Sequence, residues 1–74
     1  MKPYMKAFCD WAAERLADGQ ALSAAVLLSE YITTNYRYGR YISGAAMVSH
    51  ALRVDKRFDR IKSHKPDEWF LKAE

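Results

Sequence analysis

The sequence predicts a small α+β domain, three helices followed by a two-stranded β-hairpin. Apolar residues recur at three- and four-residue spacing in successive segments as far as Val54. Beyond that point the period changes to short runs rich in aromatic and branched residues on either side of a turn-like tetrad, His64-Lys65-Pro66-Asp67. The chain has 74 residues, half of them hydrophobic, which predicts one domain spanning 1–74 with a single core rather than a disordered chain.

In the first segment Met5, Phe8, Cys9, Ala12 and Leu16 form one apolar stripe, with Asp10, Glu14 and Arg15 opposite. Pro3 sits near the start, where its missing N–H costs little, and Gly19 follows as a C-terminal cap, which gives a helix over about 4–17. Cys9 reads as a small core residue rather than a reactive thiol. The second helix begins near Leu22 or Ser23 and runs to about Thr34. Ala24, Ala25, Val26, Leu27, Leu28, Tyr31 and Ile32 cover most of its circumference, so it is expected to be the central, most buried helix. Thr33-Thr34-Asn35 bring in β-branched and turn-forming residues that end it.

The stretch Asn35-Tyr-Arg-Tyr-Gly-Arg-Tyr-Ile-Ser43 then divides. Tyr36 closes the second helix, Tyr41 and Ile42 pack beside the next one, and Arg37, Tyr38 and Arg40 form an exposed loop tip around Gly39. Ser43 is expected to cap a third helix, Gly44 to about Val54. Ala45, Val48 and Leu52 share its inner face with Ala51 beside them, while Ala46, Ser49, His50 and Arg53 fall on the outer face, which carries no acid. Residues 58–63 and 68–72 read as the two strands, with Ile61 inward, Trp69 and Leu71 together on one face, and Phe70 on the other. An isolated hairpin is marginal in water, so this one must lie against the helices.

Charge is unevenly spread. Residues 37–65 carry Arg37, Arg40, Arg53, Lys56, Arg57, Arg60, Lys62 and Lys65 against Asp55 and Asp59, and both flanks are net acidic. That concentration is the pattern of a polyanion-binding surface. The single cysteine rules out an intramolecular disulfide or a cysteine-based metal cage and fits a reducing cytoplasm. Neither His50 nor His64 has a partner at metal-ligand or catalytic spacing, the carboxylates are scattered, and no glycine-rich phosphate cradle occurs. No enzyme, metal or cofactor is therefore expected. Lys6, Asp10, Glu14 and Arg15 interrupt any signal-peptide pattern, and the longest apolar run, Ala24 to Leu28, is too short to cross a bilayer.

The segment Ile42-Ser43 … Val48 … Leu52-Arg-Val-Asp-Lys-Arg-Phe58-Asp-Arg-Ile61 … Glu68-Trp69-Phe-Leu71 resembles the C-terminal half of winged helix-turn-helix domains. In that family a capped recognition helix ends in Leu, a short "Asp-x-Arg-Phe" link follows, and the wing closes on "Trp-x-Leu". Here these are Asp55-Lys56-Arg57-Phe58 and Trp69-Phe70-Leu71, and the resemblance covers about residues 20–73. The chain departs from the family in its longer connection between second and third helices, part of which, near Arg40-Tyr41-Ile42, is a place for the small strand that often pairs with the wing.

The resemblance implies binding to double-stranded DNA by a small transcriptional regulator or an architectural protein. Ala46, Ser49, His50 and Arg53 would face base edges in the major groove. Arg37, Tyr38, Arg40, Lys56 and Arg57 would contact the backbone, and the wing residues Arg60, Lys62, His64 and Lys65 would track phosphate or enter the adjacent minor groove. The same architecture also serves in protein-interaction modules, including inhibitors or adaptors of phages and other mobile elements. In that alternative Tyr4 and Trp11, which flank the first stripe, form a homodimer or partner contact.

Overall fold

The computed structural model describes residues 2–34, 41–62 and 65–72. Over these the chain forms α1 (Pro3–Arg15), β1 (Leu22–Ser23), α2 (Ala24–Thr34), α3 (Ala45–Val54), β2 (Phe58–Ile61) and β3 (Glu68–Leu71). The strands make one antiparallel sheet of order β1-β3-β2. The α+β class stands, but the sheet has three strands rather than the two of a bare hairpin.

Pro3 opens α1, and the Lys2 carbonyl accepts from the N–H groups of Met5 and Lys6, each at 3.0 Å. The helix ends at Arg15, two residues short of the expected end, because the chain tightens into three-residue turns. Ala17 N donates to Glu14 O at 3.3 Å and Gly19 N to Leu16 O at 3.2 Å. Gly19 has φ +89°, a left-handed conformation that glycine adopts without Cβ strain.

The third strand lies before α2, not at Arg40-Tyr41-Ile42. Leu22 pairs with Trp69 and Ser23 with Glu68, whereas Tyr41 is in a turn, Ile42 is outside any strand, and Arg40 lies outside the described residues. A two-residue strand is too short to leave a periodicity in sequence. Ser23 also caps α2, its Oγ accepting from Val26 N at 3.2 Å, so one buried side chain ends a strand and starts a helix. α2 buries Ala24, Leu27, Leu28 and Tyr31, but Val26 and Ile32 are 42% and 41% exposed. It is a one-sided helix, not one buried on all sides.

α3 buries Val48, Ala51 and Leu52. Gly44, not Ser43, occupies its N-cap position, and the Gly44 carbonyl accepts from Met47 N at 3.1 Å and Val48 N at 3.4 Å. The Ser43 hydroxyl is turned instead to Met47 Sδ at 3.7 Å.

In the β2–β3 pair, Phe58 is opposite Leu71 and Arg60 opposite Trp69. Residues directly opposite share a face, so Phe58, Arg60, Trp69 and Leu71 lie together and Ile61 lies with Glu68 on the other side. The inward anchor of β2 is thus Phe58, not Ile61. The inner position at residue 60 is available to arginine because its guanidinium lies over the Trp69 ring, 5.8 Å from the centroid.

The core gathers Phe8, Leu16, Leu27, Val48, Leu52, Phe58 and Trp69 between the helices and the sheet. Cys9 is fully buried, and burial first, then the nearby Asp55 charge, push its thiol pKa up to about 12, which makes it a packing residue at neutral pH.

Arg57 ties the α3–β2 link to α1. Its backbone N and Nε donate to Asp55 Oδ1 at 3.0 and 3.1 Å, and Nη2 donates to Asp55 Oδ2 at 2.7 Å and to Asp10 Oδ1 at 3.0 Å. Hydrogen bonding from the Arg57 side chain holds the Asp55 carboxyl below its ordinary value, against an opposing effect of partial burial.

Two outcomes are expected. Ser23→Ala should lower unfolding free energy by about 1 kcal/mol in urea titration, as loss of a helix cap does. Because the folded pKa of Asp55 is depressed, its stabilisation is complete above the unfolded carboxylate value, near pH 4, and is lost as pH falls through the folded value. Asp55→Asn should cost about 1.5–3 kcal/mol at neutral pH, the range for a hydrogen bond to a charged group, and flatten the acid limb of a stability-against-pH curve.

Candidate nucleic-acid interface

α3 presents Ala46, His50 and Arg53 to solvent with Ser49 half-buried beside them, and no acidic residue occurs in the helix. These positions recur at helical spacing because the inner face is fixed by Val48, Ala51 and Leu52. Beside this face runs a groove of about 250 Å³ between α3 and the hairpin. Its alanine floor comes from the first residues of α2 and α3, Ala24, Ala25, Ala45 and Ala46. Ser49 and Arg53 line the α3 side, and Arg60, Pro66, Asp67 and Trp69 the hairpin side.

The cations expected to contact a polyanion fall into two groups. Arg53, Lys56, Lys62 and Lys65 are exposed and form no ion pair among the described residues. Arg57 and Arg60 are engaged. Arg57 is shared between Asp55 and Asp10, and the Asp55 hydrogen bond raises its pKa further, so it is a permanent cation whose charge is balanced within the fold. Arg60 pairs with Asp67 at 3.3 Å while lying over Trp69. Arg37, Tyr38, Arg40 and His64 lie outside the described residues.

Tyr4 and Trp11 are both half-buried and have intramolecular ring partners. Tyr4 lies 5.7 Å from Tyr41, and Trp11 lies 5.7 Å from Phe8 and 5.2 Å from Tyr31. They extend the edge of the core, and this is where the structure puts the two rings considered as a partner contact. Behind them Arg15 bonds Glu30 at 2.6 Å and joins α1 to α2.

Ala24, Ala25, Ala45, Pro66, Asp67 and Trp69 line the groove without belonging to the site expected from sequence, and of these Asp67 and Trp69 bear on its chemistry. Trp69 reads as core, which it is, and Asp67 reads as a turn residue. Only the strand register, which sets Arg60 opposite Trp69, brings both to the groove wall.

No group of three or more His, Cys, Asp or Glu able to hold a metal ion occurs among the described residues, and no described helix is long and apolar enough to cross a membrane. No family model, curated protein or solved structure matches this chain.

The division of cations predicts a contrast in stability. Arg57→Ala should lower the melting temperature measurably, since it removes the side-chain hydrogen bonds that Arg57 gives to Asp55 and Asp10, whereas Lys56→Ala should leave it within the error of a surface change, about 0.5 kcal/mol. Thermal melts followed by circular dichroism read both.

Proposed function

We propose that this chain binds double-stranded DNA in the manner of a winged helix-turn-helix domain, as a small transcriptional regulator or an architectural protein. The observation that carries the reading is the acid-free outer face of α3, bordered by a groove and a hairpin with exposed lysines. An α-helix with its side chains is about 10–12 Å across, which a major groove about 12 Å wide admits, and the ten residues of α3 run roughly 15 Å along it. Ala46 and Ser49 are short enough to allow close approach, and His50 and Arg53 are long enough to reach base edges. The order of elements, with a short strand before α2 and a hairpin after α3, supports the same reading.

Lys56, Lys62 and Lys65 surround that face as backbone contacts. With Arg53 they are four described cations free to replace counterions, which amounts to about 3 to 4 units in the slope of log K against log salt. A single module of this size buries roughly 600–1,000 Å² against DNA, so affinity is modest unless a second copy or site contributes.

Random-duplex selection at two salt concentrations tests the proposal. An enriched motif identifies a regulator, and binding without a motif identifies an architectural protein. Failure to shift a mixed-sequence duplex at about 50 mM salt, where phosphate contacts are strongest, overturns DNA binding and leaves the protein-interaction alternative. Arg53→Ala should cost about 1–3 kcal/mol on a selected site and relax preference at one position. Lys62→Ala should weaken all duplexes alike and lower the salt slope by about one.

A further inference from the structure

Arg60 enters the groove from the inner face of β2, between an indole and a carboxylate. Its guanidinium carbon lies 5.8 Å from the Trp69 ring centroid, and Nη1 donates to Asp67 Oδ2 at 3.3 Å. The two side chains are 27% and 36% exposed, so a polyanion in the groove has access to both. Charge-assisted N–H···O bonds usually measure about 2.7–2.9 Å. The Arg57–Asp55 bond, at 2.7 Å and reinforced by Asp10, meets that standard, and the single Arg60–Asp67 contact does not. The Trp69 ring supports the guanidinium whether or not Asp67 accepts from it, so Arg60 can change acceptor without losing its position. Arg53 faces the same groove and has no carboxylate partner among the described residues.

We propose that Asp67 is a specificity-determining residue that withholds Arg60 from DNA phosphate. Asp67 occupies Arg60 in the free protein and repels the backbone of a loosely seated duplex. Only a duplex drawn in by base contacts from α3 brings a phosphate close enough to displace the carboxylate. The inference rests on the DNA-binding reading and adds that the groove discriminates through a built-in competing anion.

The test uses the full chain and a mixed-sequence duplex, with fluorescence anisotropy at several salt concentrations between about 50 and 200 mM, where counterion release is read directly. Asp67→Asn should bind more tightly than wild type, with a log–log slope steeper by about 0.9, the value for one added phosphate contact. Its advantage over wild type should therefore shrink roughly three- to fourfold across that range. In an Arg60→Ala background the same substitution should leave the slope unchanged. Asp67→Ser serves as a second variant with the same expected result. An unchanged slope in both Asp67 variants, weaker binding by both, or an equal steepening without Arg60 overturns the inference while leaving DNA binding intact. Absence of binding by the wild-type chain overturns the DNA reading and this inference with it.

Discussion

The indole of Trp69 fixes how the helices and the sheet fit together. It sits on the central strand at 3% exposure, opposite Leu22 of β1 and Arg60 of β2. β1 leads directly into α2 through Ser23, and β2 follows α3 through the Asp55–Arg57 link, so one ring holds the start of one helix and the sequel of another at a fixed distance. The groove beside α3 exists because these two connections are pinned to the same strand. A chain of this size has little core to spare, and the loss of a large buried aromatic costs about 3–5 kcal/mol, comparable to the whole stability of many small domains.

Electrostatics follows the same partition. Where the elements join, arginines are paired: Arg15 with Glu30 between α1 and α2, Arg57 with Asp10 and Asp55 between α1 and the link, and Arg60 with Asp67 across the hairpin. The planar, multidentate guanidinium suits that role. The exposed lysines at 56, 62 and 65 have no such partner among the described residues and sit on the periphery. Counting positive charge in sequence therefore overstates the cations available to a polyanion, since two of the arginines in the basic segment already have carboxylates.

How legible each part was depends on how local its signal is. The helices came through because apolar spacing persists over ten or more residues, and the faces of α1 and α3 are those expected from Phe8, Ala12, Val48 and Leu52. β1 was invisible because two residues carry no period, and Leu22-Ser23 reads as the start of a helix until Trp69 and Glu68 are known to lie beside it. The face of Ile61 was misread because hydrophobicity favours isoleucine inside, whereas the register and the stacking of Arg60 on Trp69 decide otherwise. On the outer face of α3, Ala46, His50 and Arg53 are exposed as expected, whereas Ser49 is half-buried at the groove. The groove itself was not legible, since it depends on a cross-strand register and on two helix starts meeting at alanines.

On the proposed reading, this geometry separates affinity from discrimination. The peripheral lysines act on phosphate without regard to sequence and weaken together as salt is added. Base readout falls to a short helical face whose only long donors are His50 and Arg53, with Ser49 and Ala46 limiting themselves to close contact. Such a face can distinguish only a few base pairs, each worth about 1–3 kcal/mol. A carboxylate in the groove is then useful because it lowers affinity: with few favourable base contacts to draw on, discrimination improves more by penalising a poorly seated backbone than by adding another cation. Asp67 stands where that penalty acts, paired with Arg60, a groove arginine that lies over the Trp69 ring.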